Sequence, residues 1–290
     1  MKAIVFGASG TVGKYLASHL RSMGGTVAGT FSARKVEGLV SFKLEDGDFG
    51  RLSFARESWD YGIICSAISS IDECKRDVAR SRAVNVVGTL RLVGQLVGLG
   101  IRPVFLSSDY VFSGEKGGYI EDDPVDPLTV YGEQKVEVEN GVRASCGAGL
   151  IVRLSKVVTA DPADMTMFSE WHKAIRAGRP VRCANDQFFC PTCIEDVVAG
   201  IRVLMEKRAA GVYHLCQPKR YDRASLLREF CAAADLQCPP IELCRSDALG
   251  FLDRRSRDTS MSPARFVAAT GQGFTPMADC SRRFVENATR

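Results

Sequence analysis

Two hydroxyls, a phenol and an amine define the chemistry this sequence could perform. Ser107 and Ser108 follow an apolar run, Val104 to Leu106, as residues at the end of a strand would. Downstream, Tyr131 and Lys135 stand four apart, and on a helix that spacing puts phenol and ammonium on one face. Asp126-Pro127 reads as the start of that helix, because Asp caps and Pro is tolerated at the first helical position. A strand-end hydroxyl, a Tyr and a Lys together form a proton-delivery group. Spacing alone also allows a surface Tyr and Lys with no such role.

The elements that must position this group run in regular alternation. Lys2 to Phe6 is a short apolar strand, followed at once by Gly7-Ala8-Ser9-Gly10-Thr11-Val12-Gly13 and a helical pattern with Val12, Leu16 and Leu20 on one face. Glycines in such a turn let the backbone approach a pyrophosphate, and the helix N-terminus supplies amide donors, so Gly7, Ser9, Gly10, Thr11, Val12 and Gly13 are candidate cofactor residues. A second strand, Thr26 to Phe31, runs into Ser32-Ala33-Arg34-Lys35, where NAD-binding chains usually place an acidic residue. With Ser32, Arg34 and Lys35 there instead, NADPH is favoured over NADH, the two cations embracing a 2′-phosphate; two solvated loop cations are the alternative.

Val40 to Leu44 and Tyr61 to Cys65 read as third and fourth strands, the latter leading into Ser66 and Ala67 beside the cofactor. A long helix is expected from Val78 to Leu99, carrying Asn85 either toward the cofactor or as a core amide satisfied by backbone. Pro103 to Leu106 and Gly149 to Leu154 are the fifth and sixth strands. Beyond them come a loop and helix over Asp161 to Arg179, an irregular polar segment over Asn185 to Thr192, a helix over Ile194 to Lys207 and a strand over Val212 to Cys216. The expected architecture is α/β: a Rossmann-type doubly wound parallel sheet with a smaller C-terminal α/β substrate domain. Residues 1–155 would form the NAD(P)-binding domain and 156–290 mainly the substrate domain, with about 190–216 returning to the first.

Composition narrows the class. The 290 residues are 46% hydrophobic and 25% charged, ordinary values for a globular protein. A net charge of +4, spread rather than clustered, argues against a nucleic-acid surface. With no signal peptide and no apolar run of ~18 residues, a cytoplasmic protein without membrane association is expected. The eleven cysteines are scattered and read as reduced core thiols. Cys183, Cys190 and Cys193 lack the two tight ligand pairs of a usual structural zinc site, so ordinary packing is preferred over a metal.

Several motifs together carry a family resemblance that spans nearly the whole chain. The glycine turn, Ser107-Ser108-Asp109-Tyr110-Val111-Phe112, the Glu121-to-Pro124 loop, Tyr131-Gly132-x-x-Lys135, Asp186-Gln187-x-x-x-Pro191-Thr192 and Arg257-Asp258-Thr259-Ser260-Met261 resemble the extended short-chain dehydrogenase/reductases. Within these the pattern is most similar to the dTDP-4-dehydrorhamnose reductases. The resemblance implies NAD(P)H as hydride donor, a keto-sugar nucleotide as substrate and a homodimer as a plausible assembly. It also implies Tyr131 as general acid, Lys135 as the residue that binds the nicotinamide ribose and tunes Tyr131, and Ser108 as hydrogen-bond partner of the substrate carbonyl. Asp109, Tyr110, Lys156 and Gln187 would meet the substrate.

On physical grounds a neighbouring ammonium should favour the phenolate of Tyr131. One departure bears on the substrate. Rhamnose reductases commonly follow the sixth strand with Arg-Thr-Ser-Trp, whereas this chain has Arg153-Leu154-Ser155-Lys156. Lys156 cannot stack a sugar as an indole does, which leaves the sugar open. A non-catalytic NADP-binding subunit resembling the β subunit of methionine adenosyltransferase, or a reductase or epimerase of another carbonyl, are the competing readings.

Overall fold

A computed structural model describes residues 1–145 and 147–289. The chain begins β1 (Lys2–Phe6), α1 (Thr11–Ser22), β2 (Thr26–Phe31), β3 (Val40–Ser41) and β4 (Tyr61–Ile64). It continues α2 (Ile71–Arg76), α3 (Val78–Arg82), a π-helical turn (Ala83–Gly88), α4 (Thr89–Gly98), β5 (Arg102–Ser108), α5 (Val130–Ser145) and β6 (Leu150–Leu154). Then follow β7 (Val157–Val158), α6 (Met167–Arg176), β8 (Val181–Ala184), β9 (Phe188–Phe189), β10 (Thr192–Cys193), α7 (Ile194–Glu206) and β11 (Gly211–Leu215). The chain ends with β12 (Tyr221–Asp222), α8 (Arg223–Ala233), β13 (Ile241–Cys244), α9 (Ala264–Thr270) and α10 (Met277–Ala288).

Seven strands form one parallel sheet in the order β11-β6-β5-β4-β1-β2-β3. Its central strands are buried without alternation, and apolar but for Arg153: all of β4 and β6, and all of β1 beyond its first residue, are buried. Such runs are what a parallel sheet covered on both faces demands. On one face Leu16, Leu20, Val197, Ile201 and Phe266 pack from α1, α7 and α9; on the other Leu92, Leu96, Val138 and Val142 pack from α4 and α5. Strand order reverses between β1 and β4, and the crevice at that switch point, at the carboxyl ends of the strands, is where open α/β sheets bind ligands.

A second core lies outside this sandwich. Phe168 and Trp171 of α6, Phe230 of α8 and Phe284 of α10 are buried together, with Phe168 and Phe230 ring centroids 4.8 Å apart. Short pairings, β8 with β13 and β9 with β12, edge this unit. The polar Asn185-to-Thr192 segment, expected to be irregular, therefore supplies two small strands. Cys193 and Cys280 are brought together here, with Cα atoms 6.5 Å apart; they are 87 residues apart in sequence and meet because α10 folds back onto β10. Cys183 and Cys190 are buried free thiols, and no cluster of three or more metal-ligating side chains occurs among the described residues. Among those residues no helix is long and apolar enough to cross a membrane.

Local differences from the sequence expectation have identifiable causes. The helix over Val78 to Leu99 is interrupted by the π-helical turn at Ala83–Gly88, which carries Asn85. Asp126 and Pro127 do not start the tyrosine helix, which begins at Val130. Thr129 satisfies its first turn instead, accepting from the Gly132 N–H at 2.9 Å, while the Val130 N–H donates to Asp253 at 2.9 Å. A carboxylate 123 residues away thus holds this helix end, a partner no local pattern could reveal.

Candidate active site

The first cavity, about 430 Å³, opens at the switch point between β1 and β4. Gly7, Ser9 and Gly10 from the turn after β1 line it, with Ser32 after β2 and Ser66 and Ala67 after β4. Helix α1 starts at this wall, and a Cβ on Gly13 would lie 2.1 Å from the Gly7 carbonyl oxygen, so only glycine lets α1 sit so close to the strand end. Gly10 is the N-cap of α1 and supplies no capping side chain, while Thr11 beside it is exposed and Val12 half-buried. The free first-turn amides and the dipole of α1 are a fitting seat for a pyrophosphate.

The cations of this cavity wall are Lys43 and Arg80, with Glu45 beside them. Arg34 and Lys35 lie on the exposed loop after β2, outside that wall. Sequence reasoning missed Lys43 because it follows a strand that proved only two residues long. Asn85 is buried and fully engaged: its amide nitrogen donates to the Ile68 carbonyl at 3.0 Å and to Gln134 at 2.8 Å, and its oxygen accepts from the Ile68 N–H at 2.8 Å. It borders the cavity by fastening Ile68, one of its lining residues.

The proton-delivery residues gather at the end of β5. Successive strand residues face opposite sides, which separates the two serines. Ser107 turns into the core and donates to Glu139 at 2.6 Å. Glu139 in turn accepts two hydrogen bonds from Arg153, at 2.9 and 2.7 Å, in a fully buried pair. Ser108 turns the other way, donating to Asp109 at 3.0 Å and accepting from the Tyr110 N–H at 3.2 Å. Helix α5 reaches it because Gly132 leaves room: a Cβ there would stand 2.2 Å from the Tyr110 carbonyl oxygen.

Tyr131 and Tyr110 meet edge to face with ring centroids 6.5 Å apart. Burial, then the charge of Asp109, hold the Tyr131 phenol above its ordinary range, and only the neighbouring Ser108 hydroxyl is a notable opposing influence. This reverses the expectation that Lys135 brings the phenol down. Lys135 is itself buried, with its ammonium 5.5 Å from the Tyr131 ring centre and donating to the Leu106 carbonyl at 2.8 Å. Its pKa is lowered to about 8 by burial, partly offset by Glu139, so its charge is a weaker lever than spacing suggests.

A second cavity of about 220 Å³ lies beside this group, lined by Asp109, Tyr110, Lys156, Gln187, Arg223 and Arg255 among others. Asp109 is buried and accepts from Ser155 at 2.7 Å and Thr259 at 2.9 Å as well as from Ser108. Burial raises its pKa, and those hydroxyls and the Lys156 charge counter the shift. Through Phe188, Phe251 and Arg255 the cavity adjoins an outer groove of about 1130 Å³ that carries Asp186, Arg254 and Arg257. Arg223 and Arg255 were not anticipated, since neither sits in a local motif of recognisable spacing.

A doubly wound sheet with a glycine turn at its switch point and a Ser-Tyr-Lys group at the end of β5 defines an extended short-chain dehydrogenase/reductase. Comparison with known proteins makes the assignment specific. The family model described as RmlD substrate binding domain matches residues 1–289, and the chain belongs to that family. It is 30% identical over 234 residues to the dTDP-4-dehydrorhamnose reductase of Burkholderia thailandensis, covering 74% of this chain and 72% of that one. It is 27% identical over 262 residues to the probable low-salt glycan biosynthesis reductase of Haloferax volcanii, covering 88% and 86%. The dTDP-4-dehydrorhamnose reductase of Bacillus anthracis, solved in complex with NADP, superposes with a TM-score of 0.87 at 17% identity over 98% of each chain.

Proposed function

We propose that this chain transfers hydride from NADPH to the keto group of a nucleotide-linked sugar, with Tyr131 as the proton donor. The observation that carries the reading is the convergence of the glycine-lined cavity and the Ser108–Tyr131–Lys135 group at the carboxyl ends of strands in one sheet, with β4 lying between β1 and β5. NADPH, bound along the first cavity, supplies the hydride. NADH is the weaker alternative, given the cations Lys43 and Arg80 on the wall and Arg34 and Lys35 near it.

Each residue then has a role that its surroundings support. Gly7, Ser9, Gly10 and the amides of Thr11, Val12 and Gly13 hold the pyrophosphate, while Ser32, Ser66 and Ala67 flank the adenosine side. Ser108 turns its hydroxyl from Asp109 to the substrate carbonyl, where negative charge develops as the ketone is reduced. Tyr131, kept protonated by its burial, is in the form a proton donor needs at neutral pH. Lys135 binds the ribose hydroxyls of the cofactor and holds the Tyr131 ring from beneath. Asp109 orients Ser108, while Tyr110, Lys156 and Gln187 contact the sugar, and the outer groove takes the nucleotide. The division of labour follows the two cores, residues 1–155 with about 190–216 for the cofactor and most of the rest for the substrate.

The test is consumption of NADPH, followed at 340 nm, with a panel of dTDP-, UDP- and GDP-linked 4-keto sugars, neutral and acidic. Turnover with at least one member is expected. Tight NADPH binding without turnover across the panel would overturn the reading and point to an NADP-binding regulatory subunit.

A further inference from the structure

The inner cavity carries more positive charge than a neutral deoxy sugar requires. Lys156 and Arg223 both line it, Arg223 half-buried and Lys156 exposed at its mouth. Among the described residues neither charged group forms an ion pair or a hydrogen bond. Arg255 adds a third cation, but it is already engaged: its guanidinium donates to Asp72 at 2.8 Å and to the Asp253 carbonyl at 3.0 Å, and lies 4.2 Å over the Phe251 ring. The carboxylate lining the cavity, Asp109, is saturated by three hydroxyls.

Two neighbouring cations on one cavity wall, with no carboxylate there free to pair with them, give the cavity a positive potential that an anionic ligand complements. The diphosphate of a sugar nucleotide is not that anion. It has the exposed Arg254 and Arg257 in the outer groove, on the far side of the Phe188–Phe251–Arg255 neck. The inner cavity ends instead on Asp109 and Tyr110, next to Ser108, where the sugar itself must lie.

We propose that the sugar held in this inner cavity carries a carboxylate, bound by Lys156 and Arg223. The guanidinium fork matches the two carboxylate oxygens, and the lysine adds a point charge where a stacking indole would favour an uncharged ring. The inference rests on the sugar-nucleotide reading above and deepens it, naming a uronic acid as the substrate class.

The experiment uses the full chain saturated with NADP⁺ and titrates matched ligand pairs by calorimetry: UDP-glucose against UDP-glucuronic acid, and the corresponding dTDP pair. The uronic acid should bind more tightly by about tenfold or more in each pair that binds, as expected for two charge-assisted contacts. Lys156→Met, Lys156→Gln and Arg223→Met should each cut that preference to within about threefold, leaving the affinity for UDP alone unchanged. Because each change removes a repulsive cation, the variants should melt no lower than the parent. Equal binding of acid and neutral sugar would overturn the inference, as would a parallel loss of UDP affinity, which would assign the cations to the diphosphate. Failure of every sugar nucleotide to bind, with NADP⁺ bound normally, would instead remove the sugar-nucleotide reading, and this inference with it.

Discussion

The cofactor cavity draws its turn from consecutive residues, Gly7 to Gly13, whereas the inner cavity joins Asp109 to Thr259 across 150 residues of sequence. In the first, backbone geometry does the work: α1 can approach β1 only over glycine, and the groups it presents are amides at a helix start. In the second, side chains from the ends of β5, β6, β9 and α8 and from the segment before α9 converge with no fixed spacing. A region of the first kind tolerates little substitution and imposes a pattern on the sequence. A region of the second kind can change its ligand through one residue without leaving a trace in local spacing.

If both regions depend on the strands beneath them, breaking the Glu139–Arg153 pair should damage them alike. Glu139→Gln strands a buried guanidinium and also disturbs Ser107, so a loss of about 3–5 kcal/mol in unfolding free energy is expected, with both binding functions falling together. Urea denaturation checks it, and a loss below 1 kcal/mol would show that the pair is dispensable. The next change separates the regions. Gly13→Ala places a methyl 2.1 Å from the Gly7 oxygen, which should cost about 1–3 kcal/mol of stability and most of the NADPH affinity. Undiminished NADPH binding by fluorescence titration would contradict the cradle geometry.

Thr259→Val probes the opposite side. It removes one of three hydroxyls on the buried Asp109, at a cost of about 1 kcal/mol. Sugar-nucleotide binding should weaken severalfold while NADPH binding holds, and an equal fall in both would erase the distinction between the regions. The smallest effect tests the cations of the cofactor side. Lys43→Ala should weaken NADPH more than NADH, and by more than Arg34→Ala does, because Lys43 stands on the cavity wall and Arg34 on the exposed loop. Equal losses for both cofactors in both variants would refute a 2′-phosphate contact.

The same contrast explains what could be read from the sequence. The parallel sheet, the glycine turn and the Tyr131–Lys135 spacing were legible because periodicity and backbone sterics leave local traces. The choice of Ser108 over Ser107 rested on motif register, and the structure adds a physical reason in the Glu139 partner that occupies Ser107. Arg223, Arg255 and Lys43 were invisible because only the tertiary fold brings them to the cavities. Asn85 was ambiguous in sequence for a related reason: a buried amide bonded to backbone and one facing a ligand follow the same helical pattern. The pKa expectation for Tyr131 failed because spacing reports the proximity of an ammonium but not its burial, and burial dominates here.

The central claim is that Tyr131 donates the proton in a reduction driven by NADPH. Single-turnover oxidation of bound NADPH by a keto-sugar nucleotide, compared between the parent chain and Tyr131→Phe, tests it most directly. The variant should lose about 10²–10⁴-fold in rate while its NADPH dissociation constant stays within about twofold, since only the donor proton is removed. Parent-like turnover in Tyr131→Phe would contradict the account.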